Sequence, residues 1–326
     1  PFKGFMIQAG LRAENTSLKG TSNGLKNSSS GYQAYDSSFK RMYTDLFPSA
    51  AITFNKNPKS QVSITYSRRI DRPNYQDLNP FEFKLDEYTF QKGNINLRPQ
   101  YTNSFGITHT YNYRLNTTLN FSHVKDLFTQ LIDTSEGSKA FISKRNLATQ
   151  DIASLNVSYP FQYKSYSVFG NLNTYYSHYN ADFGSGRTIN LNVAAVNFFA
   201  QNSFKFAKTW TAELTGFYNS PQVYQGTFKA KALWALDAGL QKAIMKGKGN
   251  IKASVSDFLH TLKFNGTSDF AGQKTIVDAR WESRQFKLNF TYRFGSNQVK
   301  AARQRATGAD EETKRTQQGG GVGVGQ

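Results

Sequence analysis

Large apolar residues fall at every second position through one segment after another of this chain. The clearest case is Gln285 to Phe294, where Phe286, Leu288, Phe290, Tyr292 and Phe294 alternate with Lys287, Asn289, Thr291 and Arg293. A strand sends successive side chains to opposite faces, so each such segment has one oily face and one wet face. From Gly4 to Thr16 the two faces carry Phe5, Ile7, Ala9, Leu11 and Ala13 against Met6, Gln8, Gly10, Arg12 and Glu14. The alternation returns with Val62, Ile64 and Tyr66, then Phe105 and Ile107, Leu119 and Phe121, and Tyr166, Val168, Leu172 and Tyr176. It continues with Trp210, Ala212 and Leu214, with Trp234, Leu236 and Leu240, and with Ile251, Ala253 and Val255. The Ser, Asn and Gly-rich stretch from Ser17 to Ser38 reads as a long loop. Ala140–Pro160 is ragged, and the phase slips near Ala194-Ala195, where a β-bulge is expected.

The connections alternate in kind. Short turns lie near Asn57, Tyr113, Phe161, Ala207 and Gly247, and longer polar ones near Gly24, Leu78, Glu136, Gly184, Pro221 and Gly266. Short turns on one rim and long loops on the other are how outer-membrane barrels are built. The reading is therefore all-β: an antiparallel up-and-down transmembrane β-barrel of about twelve strands, periplasmic at the short turns.

Composition agrees. Hydrophobic residues make up 38% of 326 and aromatics 15%, low and high respectively for a chain with an ordinary core. A barrel with a wet inside and aromatic girdles has that balance. Trp210, Tyr166, Tyr176, Phe286 and Phe294 suit the girdle. The formal charge of +18 raises nucleic acid as a partner. The cations are spread over strands and loops instead of forming a patch, which points to a lumen lining, to loops or to lipopolysaccharide phosphate. With no cysteine there is no disulfide framework, thiolate metal site or cysteine nucleophile. No signal peptide opens the chain, so it is expected to be mature or truncated. Residues 1–295 form the barrel unit. Residues 296–326, charged and then Gly-rich, are expected to be a disordered periplasmic extension.

One long segment is distinctive. Tyr66-Ser67-Arg68-Arg69-Ile70-Asp71-Arg72-Pro73-Asn74-Tyr75-Gln76-Asp77-Leu78-Asn79-Pro80-Phe81, continued by Gly93-Asn94-Ile95-Asn96-Leu97-Arg98-Pro99, resembles a signature of TonB-dependent receptor barrels, closest to the group abundant in Bacteroidota. Shorter pieces agree: Gly10-Leu11-Arg12-Ala13-Glu14, Gly216 to Pro221, Val255-Ser256-Asp257-Phe258-Leu259, and Glu282-Ser283-Arg284 leading to Tyr292-Arg293-Phe294. The resemblance implies a 22-stranded barrel around an N-terminal plug, of which this chain would be the C-terminal part. It implies uptake of a scarce solute such as a siderophore, glycan, peptide or cofactor, driven through the TonB complex by way of the part not in this chain. It also implies the barrel-assembly machinery as a partner, reading Phe294 as the closing aromatic, and leaves room for a surface lipoprotein. A non-transporting barrel of the same family, acting as adhesin, assembly factor or passive pore, is the alternative.

The signature loop supplies the candidate site: Arg68, Arg69, Asp71, Arg72, Pro73, Tyr75, Asn79, Pro80, Phe81, Gly93, Asn94 and Pro99. Two readings stand for it. It contacts ligand, or it forms a polar lattice supporting the rim and plug. The second is favoured, since a motif shared by receptors for many ligands is structural. Gly93-Asn94 suits a tight turn. His109, His123, His178 and His260 lack metal-ligand spacing, so no metal or other cofactor is expected. Asp71, Asp77, Glu82, Asp86 and Glu87 are read as solvated loop charge. No nucleophile elbow or phosphate loop is present, and the chain is not expected to be an enzyme.

Overall fold

The alternation builds a wall of strands. The computed structural model describes residues 4–28, 31–57, 59–133, 139–182, 188–224, 228–270, 273–294 and 315. In chain order the strands are β1 (Phe5–Ser28), β2 (Gly31–Asn57), β3 (Ser60–Asp71), β4 (Glu82–Lys84), β5 (Thr89–Lys92), β6 (Gln100–Tyr111), β7 (Leu115–Asp133), β8 (Ala140–Tyr163) and β9 (Tyr166–Asp182). They continue with β10 (Thr188–Phe206), β11 (Trp210–Asn219), β12 (Gln222–Tyr224), β13 (Phe228–Ala230), β14 (Leu233–Ile244), β15 (Gly249–Ser256), β16 (Lys263–Phe270), β17 (Gln273–Arg280) and β18 (Gln285–Tyr292). A single turn of helix, α1, covers Tyr75–Leu78.

Twelve strands lie side by side in the order β1-β2-β3-β6-β7-β8-β9-β10-β11-β14-β15-β18, each antiparallel to the next. That is the expected up-and-down count. Three of the short turns place two successive non-glycine residues at positive φ: Asn112-Tyr113, Ala207-Lys208 and Met245-Lys246. This is the type I′ geometry whose twist matches the flanking strands.

Register turns the alternation into continuous rows. One row reads Ile7, Ile52, Ile64, Ile107, Leu119, Leu155, Thr174 and Val196 across eight strands. The row above it reads Ala9, Ala50, Tyr66, Phe105, Phe121, Ala153, Tyr176 and Ala194. Most of these large side chains are exposed. On the opposite face the rows are mainly small or polar, with Ile152, Val193 and Met6 the exceptions: Gly10, Ser49, Ser67, Ser104, Ser122, Ile152, Ser177 and Val193, then Met6, Thr53, Ser63, Thr108, Thr118, Asn156, Asn173, Asn197 and Asn219. Hydroxyls and amides bond along that face, as in Thr53–Ser63 at 3.1 Å, Ser104–Ser122 at 2.8 Å and Thr108–Thr118 at 3.0 Å. An exposed oily band backed by a self-bonded polar face is a lipid-facing wall with a wet interior. At the short-turn rim Phe204, Phe206 and Trp210 stack in sequence at 6.2 and 6.3 Å, with the Lys242 ammonium 4.9 Å from the Trp210 ring.

The structure corrects four local expectations. Ser17 to Ser38 is not a loop: β1 and β2 pair without interruption from Phe5↔Phe54 to Ser28↔Gly31. The backbone ladder between the two strands needs no oily stripe, so small polar residues suffice to extend a ribbon beyond the membrane. No bulge exists at Ala194-Ala195, where register with β9 is continuous. The slip arises because Val193 and Ala195 are buried on the inner face, whereas Ala194, Val196 and Phe198 point outward, so that both faces carry apolar residues here. Ala140–Pro160 is one strand, opposite a register shift between Val124 and Leu127 of β7, with Asp126 at φ 56. The last strand ends at Tyr292, and Phe294 lies beyond it, 89% exposed. The long connections near Pro221 and Gly266 contribute β12, β13, β16 and β17 to a separate four-stranded sheet. The expected extension, 296–326, lies outside the described residues apart from Arg315. Among the described residues no helix is long and apolar enough to cross a membrane, which says nothing about strands.

Candidate functional site

The connection 72–99 begins where β3 ends and folds over the polar face of the wall. Asn74 caps the start of α1, and its N–H donates to the Asp77 carboxylate at 3.3 Å. A short hairpin, β4 with β5, follows, and β5 pairs in parallel with the start of β8. Pro73, Leu78, Leu97 and Pro99 are buried, so the connection is packed at both its start and its end. Gly93 brings its backbone against the end of α1. Its N–H donates to Asn79 O at 2.8 Å, and a Cβ there would stand 2.3 Å from that oxygen. Close approach, and not the turn expected from sequence, is what requires glycine at this position. Asn94 N–H donates to Asp77 O at 2.6 Å, and the Asn94 amide donates to Lys144 O at 3.0 Å.

Side chains from four strands hold the loop at its two ends. At one end Arg72 Nη2 donates to Glu14 at 2.6 Å and to Thr16 at 3.1 Å on β1, and Arg12 supports the same Glu14 at 3.0 Å. Arg41 of β2 donates to the carbonyls of Ile95, at 2.9 Å, and Leu97. At the other end Lys144 of β8 donates to Asp77 at 2.9 Å. Asn146 of β8 holds Arg98 on both sides, accepting from its N–H at 2.7 Å and donating to its carbonyl at 2.8 Å. Arg98 pairs with Asp126 in the β7 bulge at 2.7 Å. Glu14, Thr16 and Arg41 share the phase of the polar rows on β1 and β2. The loop thus lies inside, bridging from β1 to β8.

The remaining signature residues divide. Arg68 sits 5.1 Å from the Tyr101 ring, whose hydroxyl donates to Asp45 at 3.1 Å. Asp71 accepts from Gln100 at 3.2 Å, and the Asn79 carboxamide accepts from Phe81 N–H at 3.2 Å. Tyr75 and Phe81 are exposed, and Pro80 and Arg69 lie on the loop and strand surfaces without entering the bridge. Arg315 places its guanidinium 4.4 Å from the Tyr75 ring and donates from Nε to Pro73 O at 3.1 Å.

The carboxylates do not gather into an acid–base pair. Asp77 binds Lys144, Glu82 binds Lys92 at 2.9 Å and Glu87 binds Lys84 at 3.1 Å. Asp86 caps the hairpin by accepting from Tyr88 and Thr89 N–H at 2.8 Å, and these bonds hold its carboxyl below the ordinary value. Among the described residues no group of three His, Asp or Glu is placed to hold a metal ion.

Sequence reasoning missed Arg41, Lys144, Asn146 and Asp126, because nothing local marks a strand cation as a loop anchor. It also left the short pieces without roles. Glu14 of the first piece meets Arg72 of the long one, and Ser283 of the last bonds Asp257 of the one before it. Asp257, 2% exposed, also accepts from Thr261 N–H at 2.8 Å and Leu262 N–H at 3.0 Å, while its own N–H donates to Asp237 at 2.7 Å.

With this geometry established, comparison with known proteins is informative. A family model described as the outer membrane protein beta-barrel family matches residues 1–292. Among solved structures the chain is similar to the copper transporter OprC, with TM-score 0.62 and 14% identity over 90% of this chain and 46% of that one. It is similar to the ferric-catecholate import receptor Fiu from E. coli K12, with TM-score 0.61 and 13% identity over 90% and 43%. It also resembles the hemophore receptor HasR of Serratia marcescens, with TM-score 0.60 and 10% identity over 89% and 49%. The chain therefore spans less than half the length of these structures, and at such identities the likeness is one of fold. No curated protein matches by sequence.

Proposed function

Because the chain belongs to the outer membrane protein beta-barrel family, which places it in the cell outer membrane, we propose that it is the C-terminal wall of a TonB-dependent receptor that imports a scarce solute. The strands do no covalent chemistry. They provide a rigid wall, a polar interior and loops that select cargo. The observation that supports this most directly is the inward loop 72–99, tied to Glu14 and Arg41 at one end and to Lys144 and Asn146 at the other. A loop laid over the polar face narrows the interior where a solute passes, and it presents exposed Tyr75 and Phe81. The fold shared with a copper transporter and a ferric-catecholate import receptor is consistent with import.

The absence of cysteine in this chain makes a direct test practicable. Arg98→Cys with Asn146→Cys, introduced into the full-length protein, staples the loop to β8. Uptake of the cognate solute, identified by growth of a deletion strain on candidate nutrients, should fall on oxidation and recover with reductant. A deletion strain with unchanged uptake of every candidate, siderophores, glycans, peptides and cobalamin included, defeats the transport reading.

A further inference from the structure

On the outer face one row breaks the apolar pattern. Asn103, His123, Asp151, His178 and Asn192 are cross-strand neighbours on β6 to β10. They lie two residues nearer the long-loop rim than Phe105, Phe121, Ala153, Tyr176 and Ala194, and on the same face. The row is bonded internally. Tyr66 Oη donates to Asn103 Oδ1 at 3.0 Å, His123 Nδ1 meets Asp151 Oδ1 at 2.7 Å, and His178 Nδ1 meets Asn192 Oδ1 at 2.7 Å. These bonds determine what is left to face outward. An amide whose oxygen is occupied presents its N–H groups, and an imidazole whose Nδ1–H is occupied presents Nε2 as an acceptor. Two residues higher on this face stand the exposed Lys125, with Asn180 and Asn190.

Directly below the row is a groove of about 1150 Å³, lined by Ile107, Leu119, Leu155 and Val196 and floored by Ala153 and Ala194. Ala153 is flanked by Phe121 and Tyr176 in its row, so the groove runs between rings. A donor and acceptor strip bearing a cation, set above an apolar groove, is complementary to an amphiphile. Five strands at about 4.8 Å spacing span roughly 20 Å, which exceeds a single phosphodiester and suits a sugar-based head group. We propose that this face holds one phosphorylated glycolipid of the outer leaflet. Lys125 meets a phosphate, the Asn and His groups meet sugar hydroxyls, and the acyl chains fill the groove.

The test uses the full-length protein purified from its own outer membrane in mild detergent, with bound lipid counted by native mass spectrometry. Delipidated protein is then titrated with purified lipid A and, separately, with phosphatidylethanolamine. Wild type should retain about one glycolipid per barrel. Lys125→Ala and His178→Ala should each weaken lipid A binding about tenfold, the worth of one hydrogen bond to a charged group. Ala153→Leu, which fills the groove and leaves the row intact, should also lower retention. All variants must keep the heat-modifiable migration of a folded barrel. Retention of phosphatidylethanolamine in place of lipid A overturns the proposal. Equal retention in all variants does the same, as does a doubled protein mass showing a second copy on this face.

Discussion

Residues 72–99 and 257–284 each join neighbouring wall strands on the same rim, but the first lies across the polar face and the second feeds a separate four-stranded sheet. The inward loop makes little ladder of its own. It is held along its length by Arg72, Arg41, Lys144 and Asn146, which reach it from, or bind it to, strands far apart in sequence. The second connection carries β16 and β17, whose backbone ladder supports itself, and is fastened to β14 at its base by Asp257, Phe258 and Thr261, with Asp257 also bonding Ser283 and Leu262 within the connection. A distributed set of charged anchors fixes a surface in place inside the barrel. Bonds confined to the base of a connection leave its outer part to its own ladder.

The largest effect that would break this contrast is expected from Arg72→Ala. It strips Glu14 of a nearly buried partner and should cost about 3 kcal/mol of local stability. Hydrogen exchange should accelerate through residues 75–97 and stay unchanged in 263–280. Next is Gly93→Ala, where the new methyl meets Asn79 backbone, with about 2 kcal/mol lost through overpacking and the same exchange signature. Asp257→Ala should cost about 2 kcal/mol and should loosen 257–284 alone, leaving 72–99 protected.

The same carboxylate gives a pH test. Burial would raise the Asp257 pKa, but hydrogen bonds from Ser283, Thr261 and Leu262 outweigh it and lower it below 3.8. A depressed carboxylate stabilises the fold above its unfolded value, and that contribution is lost as pH falls through the folded value. Exchange in 257–284 should therefore rise below about pH 3.8 in wild type, and Asp257→Asn should flatten the dependence. At the small end, Lys84→Ala removes an exposed pair with Glu87 and should change stability by no more than about 0.5 kcal/mol. A larger shift, measured by urea unfolding in detergent, would mean that the hairpin is an anchor too.

Much of the wall was legible because its signal is local. Alternation marked the strands and their faces, and turn chemistry placed the short rim within a few residues. Legibility failed where one-dimensional pattern and three-dimensional environment separate. Ser17 to Ser38 lacks an oily stripe, since no lipid touches that part of the ribbon, and it read as loop. At Ala194 apolar residues occupy both faces of β10, buried Val193 and Ala195 inward and Ala194 and Val196 outward, which mimicked a bulge. The signature loop was conspicuous by composition, but its direction was not, because its anchors Arg41, Lys144 and Asn146 sit on distant strands.

The sequence by itself determined the period, the two faces and the up-and-down order, since side-chain direction in a strand follows from backbone geometry alone. Only the tertiary structure decided that the loop turns inward, that Glu14 meets Arg72, and that His123, Asp151 and His178 share a row. Those pairings depend on strand register, which the cumulative fit of hydrogen bonds across the whole sheet sets, and no single segment encodes it.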